Sequence, residues 1–430
     1  MSIERSLAAE AMGALRRHVI EPVLSRCVDT EYGGFLVDFD ARWQPIGPHD
    51  KTLEHVTRMT TSFALLDQRF PGEGLDVLAR RGCQYLQEVM WDQEHCGFFA
   101  SVDRAGVPSA AGLKHPHANT YAVRCFLLNA AIFDDGSMEP WIERSLRWLE
   151  DVAWDPVEGG YWGTFTRENQ RYESGSLLPT PDGRDVFGVA PGFKEINTQG
   201  DAIEMHASLL DAGSPLGSRD RLAELARLVN NRLVHDNGIL PYLFSPLWQP
   251  AADLARVGYQ FIMARHLLLS SEYVGADELV PTACRMVDAA MSRGAHPHGG
   301  LALAVAEDGR RWPNSGGPAD DRQWWVQIEA VHTLHLLAGH PEVSEDERAR
   351  YAAWRDRLWQ FLSDEYFDET FGGIRELPLP PDPSWSRYAR NRLRRRDPLT
   401  GQRKMHGWKD PLHEVVTFLA LSEQPVVAPN

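Results

Sequence analysis

Gly159-Gly160-Tyr161-Trp162 opens a short apolar run that a polar loop and then a long helical pattern follow, and this succession recurs six times along the 430-residue chain. The other five turns are Tyr32-Gly33-Gly34-Phe35, Cys96-Gly97-Phe98-Phe99, Asn237-Gly238-Ile239-Leu240, Gly299-Gly300-Leu301 and Gly372-Gly373-Ile374. Self-similarity at a spacing of several tens of residues marks a repeat architecture. Each unit holds two helices separated by a turn, so the sequence predicts an all-α fold of six helical hairpins closed into a ring. Strand character is expected only in short ribbons after the glycine turns. A ring of six inner and six outer helices has a funnel at its centre, and functional side chains belong at the starts of the inner helices.

Amphipathic periodicity predicts outer helices near residues 4–26, 76–91, 138–153, 219–234, 275–292 and 344–364. Inner helices are predicted near 52–67, 116–132, 196–212, 253–271, 321–338 and 408–422, where apolar residues dominate all round and polar ones gather in the first turns. Asp253 and Asp320 or Asp321 stand where N-caps belong. No Ser/Gly-rich linker interrupts the repeat, so residues 1–430 are read as one domain.

The chain is 43% hydrophobic and 24% charged, as a globular protein is. Its net charge of -16 argues against a nucleic-acid surface, which needs clustered Lys and Arg to neutralise phosphates. No signal peptide and no uncharged apolar run of roughly 20 residues is visible, so no membrane partner is expected. Five scattered cysteines, Cys27, Cys83, Cys96, Cys125 and Cys284, form no C-x-x-C pair. They indicate neither a disulfide framework nor a zinc knuckle, and a reducing cytoplasm fits best. The stretch from Pro378 to Lys404 is Pro-rich and carries Arg394-Arg395-Arg396; it reads first as a solvated surface loop, with a lid over the funnel or a subunit contact as the alternatives, and a homodimer is a candidate assembly.

The sixth inner helix opens with His406-Gly407-Trp408-Lys409-Asp410-Pro411-Leu412-His413. Histidine is the side chain best matched to proton transfer near neutral pH, and a Trp beside it offers a flat face to a sugar ring. In Arg322-Gln323-Trp324-Trp325-Val326-Gln327-Ile328-Glu329-Ala330 the adjacent tryptophans cannot share a helix face. One is expected to pack between helices while the other, or Gln327, faces the funnel. Arg58 sits in an apolar helix and needs a partner, a carboxylate such as Glu54 or a ligand oxygen. His115-Pro116-His117 and His296-Pro297-His298 each read as solvated loop pairs before metal sites. Phosphate-loop, dinucleotide and nucleophile-elbow motifs are absent from the sequence, so neither metal nor organic cofactor is expected.

Arg58 with Phe63, Asn197-Thr198 leading to Glu204, Trp324-Trp325-Val326-Gln327-x-Glu329-Ala330, and Trp408-Lys409-x-Pro411-x-His413 together resemble the N-acylglucosamine 2-epimerase superfamily. That family is a six-hairpin α/α barrel whose members move a proton beside a sugar carbonyl without a cofactor. The resemblance implies that His413 is the general acid/base, that Arg58 polarises the carbonyl or enediolate oxygen, and that Trp324 and Trp408 hold the sugar. Asn197, Gln327 and Asn119, on inner-helix segments, are further candidate substrate-binding residues. Two positions depart from the pattern. Asp201 stands where the third inner helix has a family histidine, and Tyr259 stands where the fourth has one, followed by Ile262 in place of a carboxylate. Asp201 and Tyr259 are therefore the substituted catalytic candidates. Moving a proton from one face to the other normally takes two groups, so these losses weaken an epimerase reading more than an isomerase one.

Two rivals remain from the sequence. A glycoside hydrolase on the same barrel would use paired carboxyls from Asp201, Glu204 and Glu329, one of them protonated. A sugar-binding protein would keep the barrel without the chemistry.

Overall fold

Ser218 and Ser344 accept hydrogen bonds from the N–H groups of Arg221 and Glu347 and so cap two outer helices, and the Glu347 carboxylate returns to the Ser344 hydroxyl in a capping box. Among the described residues, local signals of this kind help set the twelve longer helices of the six hairpins. The structure, a computed structural model, describes residues 2–180, 182–185, 188–275, 278–310, 321–378 and 402–423. The inner helices are α2 (Leu53–Arg69), α4 (Pro116–Phe133), α6 (Ile196–Asp211), α8 (Val257–Val274), α10 (Trp324–Gly339) and α12 (Leu412–Ser422). The outer helices are α1 (Ser2–Ala14), α3 (Leu75–Tyr85), α5 (Glu139–Trp148), α7 (Arg219–Leu228), α9 (Leu279–Gly294) and α11 (Glu345–Glu365). Four outer helices run on into π-helical turns, Leu15–Ile20, Leu86–Met90, Leu149–Ala153 and Val229–Leu233.

Each inner helix packs against the next, α2 on α4, α4 on α6, α6 on α8, α8 on α10 and α10 on α12, and α12 returns to α2. The ring is closed. Outer helices α3, α5, α7, α9 and α11 each pack on the inner helix before them, while α1 packs on α12 and so joins the first helix to the last. This is the (α/α)6 barrel the repeat predicts. Among the described residues, strands occur only as two-residue or three-residue ribbons in four antiparallel pairs: β1 (Phe39–Asp40) with β8 (Arg403–Met405), β2 (Lys51–Thr52) with β3 (Ser101–Val102), β4 (Lys194–Glu195) with β5 (Leu243–Phe244), and β6 (Ala255–Arg256) with β7 (Ala304–Val305). Strands β2, β4 and β6 run straight into inner helices, so each ribbon fixes where a helix begins.

Buried ion pairs pin four of the six units. Lys51–Asp29 (3.1 Å), Lys114–Asp92 (3.1 Å), Lys194–Asp155 (2.6 Å) and Lys404–Asp368 (2.7 Å) each join a lysine in the segment leading to an inner helix to the aspartate that opens a glycine turn. Removing one partner of such a pair leaves an uncompensated buried charge, a loss of about 3–5 kcal/mol. The turns themselves need glycine: at Gly160 φ is +72°, and a Cβ would meet the Trp248 ring at 2.5 Å and Gln199 Oε1 at 2.7 Å.

Three expectations are corrected. The sixth inner helix starts at Leu412 instead of 408, because His406 and Lys409 close a bridged turn and Asp410 Oδ1 accepts the Leu412 N–H. Asp253 caps no helix; it accepts the Glu307 N–H, and Arg256 is the N-cap of α8. Gln323, not Asp321, precedes α10, and Asp320 lies outside the described residues. Most of the Pro378–Lys404 segment, residues 379–401 with Arg394, Arg395 and Arg396, also lies outside them.

Candidate active site

Counted from their first residues, the inner helices share a register. Their second residues are Glu54, His117, Asn197, Gly258, Trp325 and His413, and their sixth are Arg58, Tyr121, Asp201, Ile262, Glu329 and Thr417. Residues four apart lie on one helix face. That face meets a cavity of about 330 Å³ lined by Arg58, His117, Tyr121, Asp201, Arg256, Tyr259, Ile262, Leu303, Gln323, Trp324, Trp325, Glu376, His406, Trp408 and His413. The structure thus brings His413, Asp201, Tyr259, Arg58, Trp324 and Trp408 to one place.

The fourth residues look the other way. Asn119 Oδ1 accepts the Phe98 N–H at 3.4 Å, and Gln199, Gln260 and Gln327 each clip both the N–H and the carbonyl of one residue, Tyr161, Leu240 and Leu301 respectively. Gln327 and Asn119, expected at the substrate, instead hold glycine turns against the barrel, and both are fully buried. Asn197 does not line the cavity either; its side-chain amide donates to the Tyr242 hydroxyl at 3.4 Å.

His413 Nδ1 lies 2.6 Å from Glu329 Oε1. Arg265 holds the other oxygen of Glu329 at 3.2 Å and reaches His332 Nδ1 at 2.7 Å. Burial alone would raise the Glu329 carboxyl, but Arg265 and His413 hold it down to about 2. Burial and Arg265 push His332 down to about 3, which leaves it neutral and able to accept from the arginine. Trp325 stacks on His413 with ring centres 6.1 Å apart and donates its indole N–H to Gln323 at 2.7 Å. Gly258 makes room for that ring, since a Cβ there would lie 2.0 Å from it. Both tryptophans line the cavity, against the expectation that one packs between helices, because α10 begins at Trp324 and its first turn already faces inward.

Arg58 pairs with Asp410 at 3.0 Å rather than with Glu54, and its terminal Nη2 makes no hydrogen bond among the described residues. Lys409 sits 4.5 Å from the Trp324 ring centre. His406 pairs with Glu376 at 3.4 Å. Tyr259 packs between Tyr242 and Trp325, and burial raises its hydroxyl well above the ordinary tyrosine range.

Across the cavity, His117 Nε2 lies 2.8 Å from Asp201 Oδ2, and its Nδ1 lies 3.5 Å from Glu54. The Tyr121 hydroxyl donates to Asp201 Oδ1 at 3.4 Å. Burial would strip the proton from His117, yet Asp201 and Glu54 prevail and raise it to about 10. The solvated-loop reading of His115-Pro116-His117 is corrected: Pro116 is the first residue of α4, and both histidines are buried. His117 is the site residue that sequence reasoning missed, and the shared register is the signal that marks it. His298, by contrast, is exposed as expected.

Asp201, Glu204 and His266 bring three potential ligand atoms within 4.8 Å of one another. Arg124 already binds Glu204 at 2.7 Å and His117 binds Asp201, so positive charge is present at both carboxylates without an ion. Burial opposes ionisation of Glu204, but Arg124 and His266 hold its carboxyl well below the usual range.

The sequence profile of the N-acylglucosamine 2-epimerase (GlcNAc 2-epimerase) family matches residues 203–376. A cellobiose 2-epimerase of Bacteroides fragilis is 22% identical over 427 residues, which cover 96% of this chain and 97% of that protein. The structure of cellobiose 2-epimerase from Bacillus thermoamylovorans superposes with a TM-score of 0.79 at 17% identity, covering 97% of this chain and 99% of the other. A D-mannose isomerase structure superposes with a TM-score of 0.76 at 18% identity, covering 98% and 97%. The profile match over residues 203–376, the end-to-end relative and the shared barrel all agree with the resemblance to the N-acylglucosamine 2-epimerase superfamily.

Proposed function

We propose that this protein is a cofactor-independent carbohydrate isomerase or 2-epimerase that transfers a proton at the carbon beside a sugar carbonyl, with His413 as general acid/base. The observation that carries the reading is the His413–Glu329 pair at 2.6 Å on the wall of a cavity lined by Arg58 and tryptophans. Glu329 accepts from Nδ1 and so leaves Nε2 as the proton-transferring atom, the role a carboxylate plays in orienting an imidazole. Arg58, anchored by Asp410, has a guanidinium nitrogen left over for the oxygen that gains charge in the enediolate. Tyr259, kept protonated by burial, serves as a donor to a second oxygen. Trp324 and Trp408 supply apolar ring faces for the sugar.

A hydrolase on this barrel would need a carboxyl that keeps its proton. Glu204 and Glu329 are held ionised by arginines, and Asp201 is paired with His117, so the three carboxyls of that rival are otherwise engaged. The substrate is read as a free reducing sugar or a close analogue, the working unit as the whole chain of 1–430, and the compartment, from five free cysteines, as the cytoplasm. Among the described residues no helix is long and apolar enough to cross a membrane. The test is incubation with free aldoses, ketoses, reducing disaccharides and glycosides in D2O. New sugars carrying deuterium beside the carbonyl support the reading; released sugar without deuterium supports the hydrolase, and binding without any product supports the sugar-binding protein.

A further inference from the structure

His117 and His413 occupy the same place on their helices, the second residue of α4 and of α12. Each faces the sixth residue of an adjacent inner helix, and in both cases that residue is a carboxylate: Asp201 on α6 for His117, Glu329 on α10 for His413. Around the ring the order is α2, α4, α6, α8, α10, α12. One pair therefore belongs to the α4–α6 arc and the other to the α10–α12 arc, with Arg58 on α2 and Tyr259 on α8 between them. Two imidazole–carboxylate pairs face one cavity from opposite walls.

We infer that the His117–Asp201 pair is the second proton-transfer unit of this site, placed to act on the face of the sugar opposite His413. The inference rests on the proton-transfer reading above and deepens it to 2-epimerisation: the imidazole missing at position 201 is supplied from the neighbouring helix α4, where His117 faces Asp201.

The step balances without an added reagent. His413 Nε2 takes the proton from the carbon beside the carbonyl, the C–H bond breaks, and the electron pair forms the enediolate held by Arg58. The proton shared by His117 Nε2 and Asp201 Oδ2 is then delivered to the same carbon from the other side, and the carbonyl reforms. His413 ends as imidazolium and His117 as neutral imidazole. The reverse reaction of the epimer, or exchange with water, restores both. The two carboxylates beside His117 suit it to begin as the donor, since they hold its proton against burial.

The test reads how products partition. Wild-type protein and the variants His117→Gln and Asp201→Asn are given each aldose that turns over, in D2O, and the 2-epimer, the ketose and deuterium in recovered substrate are quantified. Loss of the opposite-face donor should lower the ratio of epimer to ketose plus exchanged substrate at least ~10-fold, while His413-driven exchange stays within about threefold of wild type. The double variant should be no worse than the poorer single one, because the two residues act as a unit. A structural role would lower all products together and leave the ratio unchanged, and that result overturns the inference even if the variants are less stable. A wild-type protein that makes ketose and no epimer also overturns it, while the isomerase reading stands. No product and no deuterium from any sugar removes the reading on which both rest.

Discussion

The two histidine walls of the cavity use the same parts with opposite charge arrangements. On the α10–α12 side a single carboxylate, Glu329, is shared between His413 and Arg265, and the arginine leans on a neutral His332. On the α4–α6 side His117 lies between two carboxylates, Asp201 and Glu54, at 2.8 and 3.5 Å. A carboxylate that already serves an arginine orients an imidazole, whereas two carboxylates around one ring hold its proton. Identical register in a repeat protein therefore does not confer identical chemistry. The neighbours one helix away decide which ring takes a proton first and which gives one.

Removing the rings and their partners one at a time should separate the walls. His413→Asn is expected to have the largest effect, a fall in kcat of roughly 100- to 10,000-fold with loss of deuterium exchange and little change in sugar affinity, because it removes the general base itself. Turnover within a few-fold of wild type would end the proton-transfer reading. Glu329→Gln keeps the shape but not the orienting charge, and leaves Arg265 without its carboxylate; kcat should drop about 10- to 100-fold with KM nearly constant. If Glu329→Gln were harmless, His413 would not depend on its partner. Tyr259→Phe removes one neutral donor and should slow turnover by no more than ~10-fold, the scale of a single hydrogen bond.

Stability should divide along the same line. His117 is raised to about 10 from 6.5, so its contribution is fully present below pH 6.5 and is lost as the pH rises toward 10. Glu329 is lowered to about 2 from 4.5, so its contribution is present above pH 4.5 and is lost as the pH falls toward 2. Thermal melts should show His117→Gln losing its deficit against wild type at alkaline pH and Glu329→Gln losing its deficit at acid pH. Parallel Tm curves for both variants would contradict the assigned charges. The smallest effect is expected from EDTA, which should leave kcat unchanged; loss of activity restored by a divalent ion would turn attention to Asp201, Glu204 and His266.

The ring was legible because its signals are local. Glycine turns and helical periodicity placed α4 at 116–132 against an observed Pro116–Phe133, and most outer helices within a residue or two of their observed starts. The lining of the cavity was legible where one helix carries its own signal, as with His413 and Arg58. It was obscured where function depends on which residue of a neighbouring helix lies alongside. Gln327 and Asn119 looked like site residues, yet the fourth residue of an inner helix points at the preceding glycine turn. His117 looked like half of a solvated loop pair with His115, although the proline between them is well suited to a first helical position, where no N–H is needed. Aligning the six inner helices by their first residues would have exposed both errors.

Helix α12 closes the ring between α10 and α2 and also packs on α1, and it carries His413. During synthesis the α4–α6 wall can form once its own hairpins have emerged, but the opposite wall has no proton-accepting ring until residues 412–422 have left the ribosome. Contacts between the two ends of so long a chain are slow to form, because loop closure must precede them. With His413 as the proposed general base, chemistry would switch on only when the last helix docks, which would tie the first turnover of each molecule to the completion of its fold.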